Sequence, residues 1–156
     1  EGIVFKDITP LLKNAALCDE IINEIANEYK GKIDVVAGVE SRGFLFGMGL
    51  ASKLNLPFVP IRKVGKLPYN KISHKYELEY GYSEIEIHTD AIKKGQKVLI
   101  HDDLLATGGT AAATAELIEK LEGKVAGFSF IIGLDFLNGN KILEKYSKHI
   151  HSLVRY

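Results

Sequence analysis

The chain has 156 residues, and 20 lysines and arginines balance 20 aspartates and glutamates, so its formal charge is zero. Neutrality leaves no electrostatic footprint for nucleic acid or an anionic membrane surface, and no apolar run approaches the ~20 residues that span a bilayer. A single cysteine, Cys18, excludes a disulfide framework and points to a reducing, cytoplasmic compartment, and the length suits one domain over 1–156.

Asn14 is placed to cap a helix over residues 15–29, with Leu17, Ile21 and Ile25 recurring on one face and Gly31 to close it. Cys18 falls on this helix and reads as a small core residue. Residues 33–39 make a short apolar strand. Residues 43–54 mix glycines with apolar residues, as in a helix packed closely against a sheet. Residues 56–61 form the next strand, which Pro57 and Pro60 assign to an outer position. The pattern then changes. Between Lys66 and Gln96, Tyr76, Leu78 and Tyr80 alternate with Glu77 and Glu79; after Gly81, Ile85 and Ile87 alternate with Glu84 and Glu86. This predicts a β-hairpin arm, about residues 66–96, projecting from the domain. Residues 97–101 and 125–134 are buried strands flanking a helix over 111–121, and 152–155 make a last short strand. Strands alternating with helices define an α/β fold whose central, mostly parallel sheet is flanked by helices.

The most informative run is Val98-Leu99-Ile100-His101-Asp102-Asp103-Leu104-Leu105-Ala106-Thr107-Gly108-Gly109-Thr110. An apolar strand ends in two carboxylates, and a Thr/Gly loop leads into a helix. That order describes a phosphate cup at the carboxyl end of a parallel strand, where loop N–H groups and the helix N-terminus favour an anion. Asp102 and Asp103 would lie beside the anion and accept hydrogen bonds from sugar hydroxyls, which suggests a ribose 5-phosphate. Neither a Walker loop nor a dinucleotide fingerprint occurs in this run. An ordinary strand-turn-helix would explain the glycines but not two adjacent carboxylates, which repel each other unless a ligand or cation offsets them.

This run resembles the phosphoribosyl-diphosphate (PRPP) signature of type I phosphoribosyltransferases, in the form Asp-Asp-Leu-Leu-Ala-Thr-Gly-Gly-Thr carried by the adenine-using members. Residues 2–12 (Gly-Ile-Val-Phe-Lys-Asp-Ile-Thr-Pro-Leu-Leu), Glu40-Ser41-Arg42-Gly43-Phe44, residues 62–68 (Arg-Lys-Val-Gly-Lys-Leu-Pro) and Leu78-Glu79-Tyr80-Gly81 resemble its other segments, in family order. The likeness covers nearly the whole chain. Beside the family an N-terminal segment is expected to be missing, since the chain opens without Met on a family motif.

The resemblance implies a Rossmann-like core with a flexible hairpin lid, and a purine-salvage reaction in which adenine and PRPP give AMP and diphosphate. Asp102 and Asp103 would hold the ribose, and Ala106, Thr107, Gly108, Gly109 and Thr110 the 5-phosphate. Ser41 and Arg42 would grip diphosphate, following a peptide, Glu40–Ser41, that is often cis in the family. Arg62, Lys63 and Lys66 would also meet diphosphate, reaching across a homodimer interface; read alone they are a solvated charge run. Adenine would stack near Val4, Phe5 and Lys6 with Leu134 on its other face, although Phe5 and Leu134 read from residues alone as core. Glu79 would approach the purine nitrogens and assist proton transfer, with a solvent-facing strand glutamate as the plain alternative. No metal-ligand cluster is visible, so Mg²⁺ would arrive on the diphosphate. His101 stands where relatives have an apolar strand residue and reads as a hydrogen-bonded strand histidine. Ala106 replaces an acid carried by 6-oxopurine relatives. A 6-oxopurine or xanthine enzyme remains an alternative, as does a regulator that keeps the PRPP site as a sensor; neutrality, Arg42 and Glu79 weigh against the regulator.

Overall fold

A computed structural model describes residues 6–156. Its strands are β1 (Val35–Val39), β2 (Phe58–Lys63), β3 (Lys71–Glu77), β4 (Tyr82–His88), β5 (Lys97–Leu105), β6 (Lys124–Gly133) and β7 (Ile150–Arg155). They form a seven-stranded sheet in the order β3-β4-β2-β1-β5-β6-β7. From β2 to β7 every pairing is parallel, and β4 joins β2 and β3 antiparallel. The α/β expectation holds.

Helices α1 (Ala15–Tyr29) and α2 (Gly43–Leu54) cover one face, and α3 (Gly109–Lys120) covers the other. Asn14 Oδ1 accepts the Leu17 N–H at 3.1 Å, the cap expected of it. Ile21, Ile25 and Tyr29 bury the apolar stripe of α1, and the Tyr29 hydroxyl donates to the Phe128 carbonyl at 2.7 Å. Alternation along the strands sorts the core. Val36, Leu99 and Ile131 meet Ile25 and Leu50 on the α1/α2 face, while Val35, Ala37, Ile100 and Phe128 meet Ala115 and Ile118 on the α3 face. Each fully buried Val, Leu, Ile or Phe side chain among them contributes ~1.5–3 kcal/mol. Glycine lets α2 approach the sheet: a Cβ at Gly43 would come within 2.8 Å of the His101 carbonyl, and one at Gly47 within 2.9 Å of the Phe58 ring.

Several element expectations need correction. β2 is not an outer strand, because β4 lies beyond it. Pro60 is tolerated there because the β2–β4 ladder includes only Arg62 and Lys63, so its missing N–H costs no pairing. β5 does not stop at His101 but continues through the acidic pair to Leu105, and α3 starts at Gly109 rather than at residue 111. The hairpin is not a free arm: β3 and β4 extend the sheet, and Ile85 and Ile87 belong to the core. Only its tip, residues 78–81, projects, so Tyr80 sits in the turn instead of on a strand face. Glu86, which alternates with Ile85 and Ile87, is also fully buried. A short helix, α4 (Gly139–Leu143), was not expected at all.

Candidate active site

The carboxyl ends of parallel strands are where open α/β sheets bind ligands, and there the chain opens a cleft of about 90 Å³. Asp102, Leu104 and Leu105 of β5, the loop Ala106–Gly108, the α3 residues Gly109–Ala111, Phe130 of β6 and Leu78 of the hairpin line it. The first helical bond of α3 runs from Ala112 N–H to the Gly108 carbonyl at 2.9 Å. The N–H groups of Gly109, Thr110 and Ala111 therefore remain outside the helical ladder and accumulate the positive end of the helix dipole. Gly108 turns the loop with φ of 85°, and α4 presses on it from behind. A Cβ at Gly108 would meet the Gly139 carbonyl at 2.8 Å, and one at Gly139 would run into the Ala106 carbonyl. All five expected phosphate-loop residues gather at this cleft.

The acidic pair divides. Consecutive strand residues point to opposite faces, so Asp102 lines the cleft while Asp103 lies at the α2 end, where its Oδ2 is 3.0 Å from Arg42 Nε. Asp103 is 3% exposed, and the guanidinium supplies the charge that its burial demands. Asp102 Oδ1 accepts the Asp103 N–H at 2.8 Å. Burial, and then repulsion from Asp103, raise the Asp102 carboxyl well above the usual carboxylate range. Sugar hydroxyls or a developing cation beside Asp102 would favour its charged form.

Arg42 and Ser41 stand on the loop between β1 and α2, and the Glu40–Ser41 peptide is cis, as the resemblance implied. Lys63 and Lys66 of the basic cluster are exposed and Arg62 is half-buried, but their backbone is anchored. Glu40 accepts the Lys63 N–H at 2.8 Å and lies 3.4 Å from Arg62 Nε. Glu86 accepts the N–H groups of Gly65, Lys66 and Leu67 at 3.1, 3.0 and 2.6 Å. For Glu86, burial pushes the carboxyl up, but those donors, led by Leu67, outweigh it and leave a net lowering. Two carboxylates thus fix the segment that presents Arg62, Lys63 and Lys66. The sequence marks neither as an anchor: Glu40 stands there only as the neighbour of Ser41 and Arg42, and Glu86 reads as one more glutamate of an alternating strand.

The remaining candidates scatter. Glu79 is exposed at the hairpin tip. Lys6 lies 4.2 Å from the centroid of the Tyr156 ring, and Leu134 is only 2% exposed beside the phosphate loop, its N–H bonded to the Leu105 carbonyl at 2.9 Å. Val4 and Phe5 lie outside the described residues. His101 is the strand histidine expected: fully buried, with Nδ1 3.3 Å from Ser129 Oγ, and desolvation pushes its imidazole down to about 4. Sequence reasoning did not connect Tyr76, Leu78 and Gly139 with the cleft. Asn138-Gly139 is a turn signal that could have marked the last.

A cup for an anion, a half-buried acid at its rim and an arginine at the next strand end together suit a phosphorylated sugar carrying a second anionic group. Comparison with known proteins gives the same answer. The family model described as a phosphoribosyl transferase domain matches residues 6–151. The chain is 56% identical over 147 residues to the adenine phosphoribosyltransferase of Flavobacterium johnsoniae, covering 94% of this chain and 86% of that protein. Its structure superposes on adenine phosphoribosyltransferase from Thermoanaerobacter pseudethanolicus with a TM-score of 0.95 at 50% identity, covering 100% of this chain and 90% of that one. The Saccharomyces cerevisiae enzyme, solved with an imino-altritol bisphosphate and adenine, follows at TM-score 0.91 and 42% identity, covering 98% of this chain and 88% of that one. With a matching family model along nearly its whole length and relatives at such identity, the chain belongs to the adenine phosphoribosyltransferases of the phosphoribosyl transferase family.

Proposed function

We propose that the chain transfers the 5-phosphoribosyl group of PRPP to adenine, releasing AMP and diphosphate in purine salvage. The observation that carries this is the cleft itself, which the phosphate loop, the start of α3 and the half-buried Asp102 line together. The 5-phosphate would sit against residues 106–110, and Asp102 would take the ribose hydroxyls and stabilise the cationic ribose of the transition state. Asp103 would act through Arg42, holding the guanidinium against the diphosphate, with Ser41, Arg62, Lys63 and Lys66 on the same anion. Adenine would stack at Val4, Phe5 and Lys6 with Leu134 behind, and Glu79 would handle the purine proton once the hairpin tip closes as a lid. The S. cerevisiae relative's adenine supports the base. Ala106 supports it too, because it brings no acid to a 6-oxo group.

The reaction calls for Mg²⁺. Among the described residues no group of three or more His, Cys, Asp or Glu side chains gathers. The residues fit an ion brought in on the diphosphate, with the Asp102 carboxylate as one hard oxygen donor nearby. Bound there, the ion would neutralise the leaving group. A homodimer is supported by apolar side chains left half-exposed on α2 and after β2: Leu45 at 50%, Met48 at 54% and Val64 at 51%. The cytoplasm suits the single cysteine, and among the described residues no helix is long and apolar enough to cross a membrane. Diphosphate release from PRPP is the test, measured with and without adenine and with and without Mg²⁺. Release is expected only when both are present; release without adenine, or none at all, contradicts the assignment.

A further inference from the structure

A side-chain hydrogen bond joins the hairpin to the phosphate cup. Tyr76 Oη lies 3.0 Å from Thr110 Oγ1, and either hydroxyl can be the donor. Tyr76 is the last inward residue of a row, Ile72, His74 and Tyr76, that β3 lays along α3. His74 Nδ1 accepts from Lys120 Nζ at 3.1 Å at the far end of that helix. The ring of Tyr76 packs against the core, and two residues later Leu78 lines the cleft.

We propose that Tyr76 is a positioning residue that ties occupancy of the phosphate cup to the placement of the hairpin tip. This rests on the phosphoribosyl reading of the cup. A threonine hydroxyl carries one proton, and a phosphate ester near neutral pH is an acceptor only. When Thr110 gives its proton to the anion, its oxygen can only accept, so the tyrosine hydroxyl must donate to it. Without an anion both directions are open. Binding therefore selects one direction and strengthens the chain Tyr76 O–H to Thr110 O–H to phosphate, because consecutive hydrogen bonds polarise each other. The latch fixes the end of β3, and with it Leu78 against the cup and Glu79 one residue beyond. Phosphate thereby draws in the tip that carries the proposed proton-handling acid.

The test is a double-mutant cycle on ribose 5-phosphate binding, read by calorimetry, with Tyr76→Phe, Thr110→Ala and both together. Tyr76→Phe keeps the ring in the core, and it is expected to weaken binding about five- to tenfold, the worth of one neutral hydrogen bond. On the Thr110→Ala background the same change should cost nothing, whereas a merely structural tyrosine would cost the same on both. Hydrogen exchange of the unsubstituted chain gives an independent reading: ribose 5-phosphate should slow exchange at residues 78–81. Equal binding by Tyr76→Phe, fully additive losses, or unchanged exchange at the tip overturns the latch. Failure of the unsubstituted chain to bind ribose 5-phosphate strikes the reading of the cup itself, and the latch with it.

Discussion

Burial and the neighbouring Asp103 make a charged Asp102 costly in the free protein, whereas the reaction uses that charge. The Asp102 carboxyl is raised, so the folded chain binds a proton there more tightly than the unfolded chain, and stability falls as pH rises from about 4 through the folded value. Asp102→Asn removes that cost and keeps an oxygen for the Asp103 N–H. Without ligand the variant should melt higher than the parent at neutral pH, by ~2–4 °C for each kcal/mol relieved in a chain of this size. Its kcat/KM should nevertheless fall by about one to two decades, the value of a charge-assisted hydrogen bond. Calorimetry and steady-state kinetics on the one variant check both. His101 has the opposite sign: its folded value of about 4 lies below the ordinary 6.5, so the unfolded chain takes the proton first. Stability present above pH 6.5 should drain as pH falls towards 4, and His101→Gln should flatten that limb in urea midpoints measured across the range. The lowered carboxyls of Glu28, Glu40 and Glu86 act at lower pH, as the solution falls through their own range, so the two effects separate.

Between elements, packing gives particular residues their roles. The phosphate loop is shaped from outside by α4, whose Gly139 leaves no room for a methyl group. Gly139→Ala should displace residues 106–108 and abolish ribose 5-phosphate binding while the far-UV spectrum stays native. The basic segment after β2 is shaped by Glu86. Glu86→Ala would leave the buried Leu67 N–H and the part-buried Gly65 and Lys66 N–H groups without their acceptor, and should destabilise the fold by about 3 kcal/mol in denaturant melts, with a raised KM for PRPP. The strand-loop-helix of the cup was legible in the sequence because its glycines, its carboxylates and the helix that follows obey local rules. The tertiary acceptor role of Glu86 was not, because alternation places a residue on a face without saying what covers that face. The same gap explains β2: its prolines mark missing donors, but only the short β4 ladder shows that they cost nothing. Asp102 and Asp103 looked like one unit until the strand was seen to run through them and turn them to opposite sides.

For the whole molecule, the α/β class and the order of helices followed from periodicity, and the chemistry followed from motifs that converge at one end of the sheet. The fold explains the convergence, since β1 and β5 are neighbours and bring the Arg42 loop beside the phosphate loop. Closure and assembly lie beyond that. Glu79 stands exposed at the tip, so its role depends on the hairpin moving towards the base. Glu79→Gln should lower kcat with little change in PRPP affinity, and unimpaired turnover in that variant would leave the tip without a catalytic part. The central claim is that this cleft joins ribose 5-phosphate to adenine in preference to other purines. It is tested most directly by giving the protein limiting PRPP, Mg²⁺ and an equimolar mixture of adenine, hypoxanthine, guanine and xanthine, and identifying the nucleotides by mass. AMP as the dominant product is the expected result; IMP, GMP or XMP in its place, or no nucleotide at all, would contradict it.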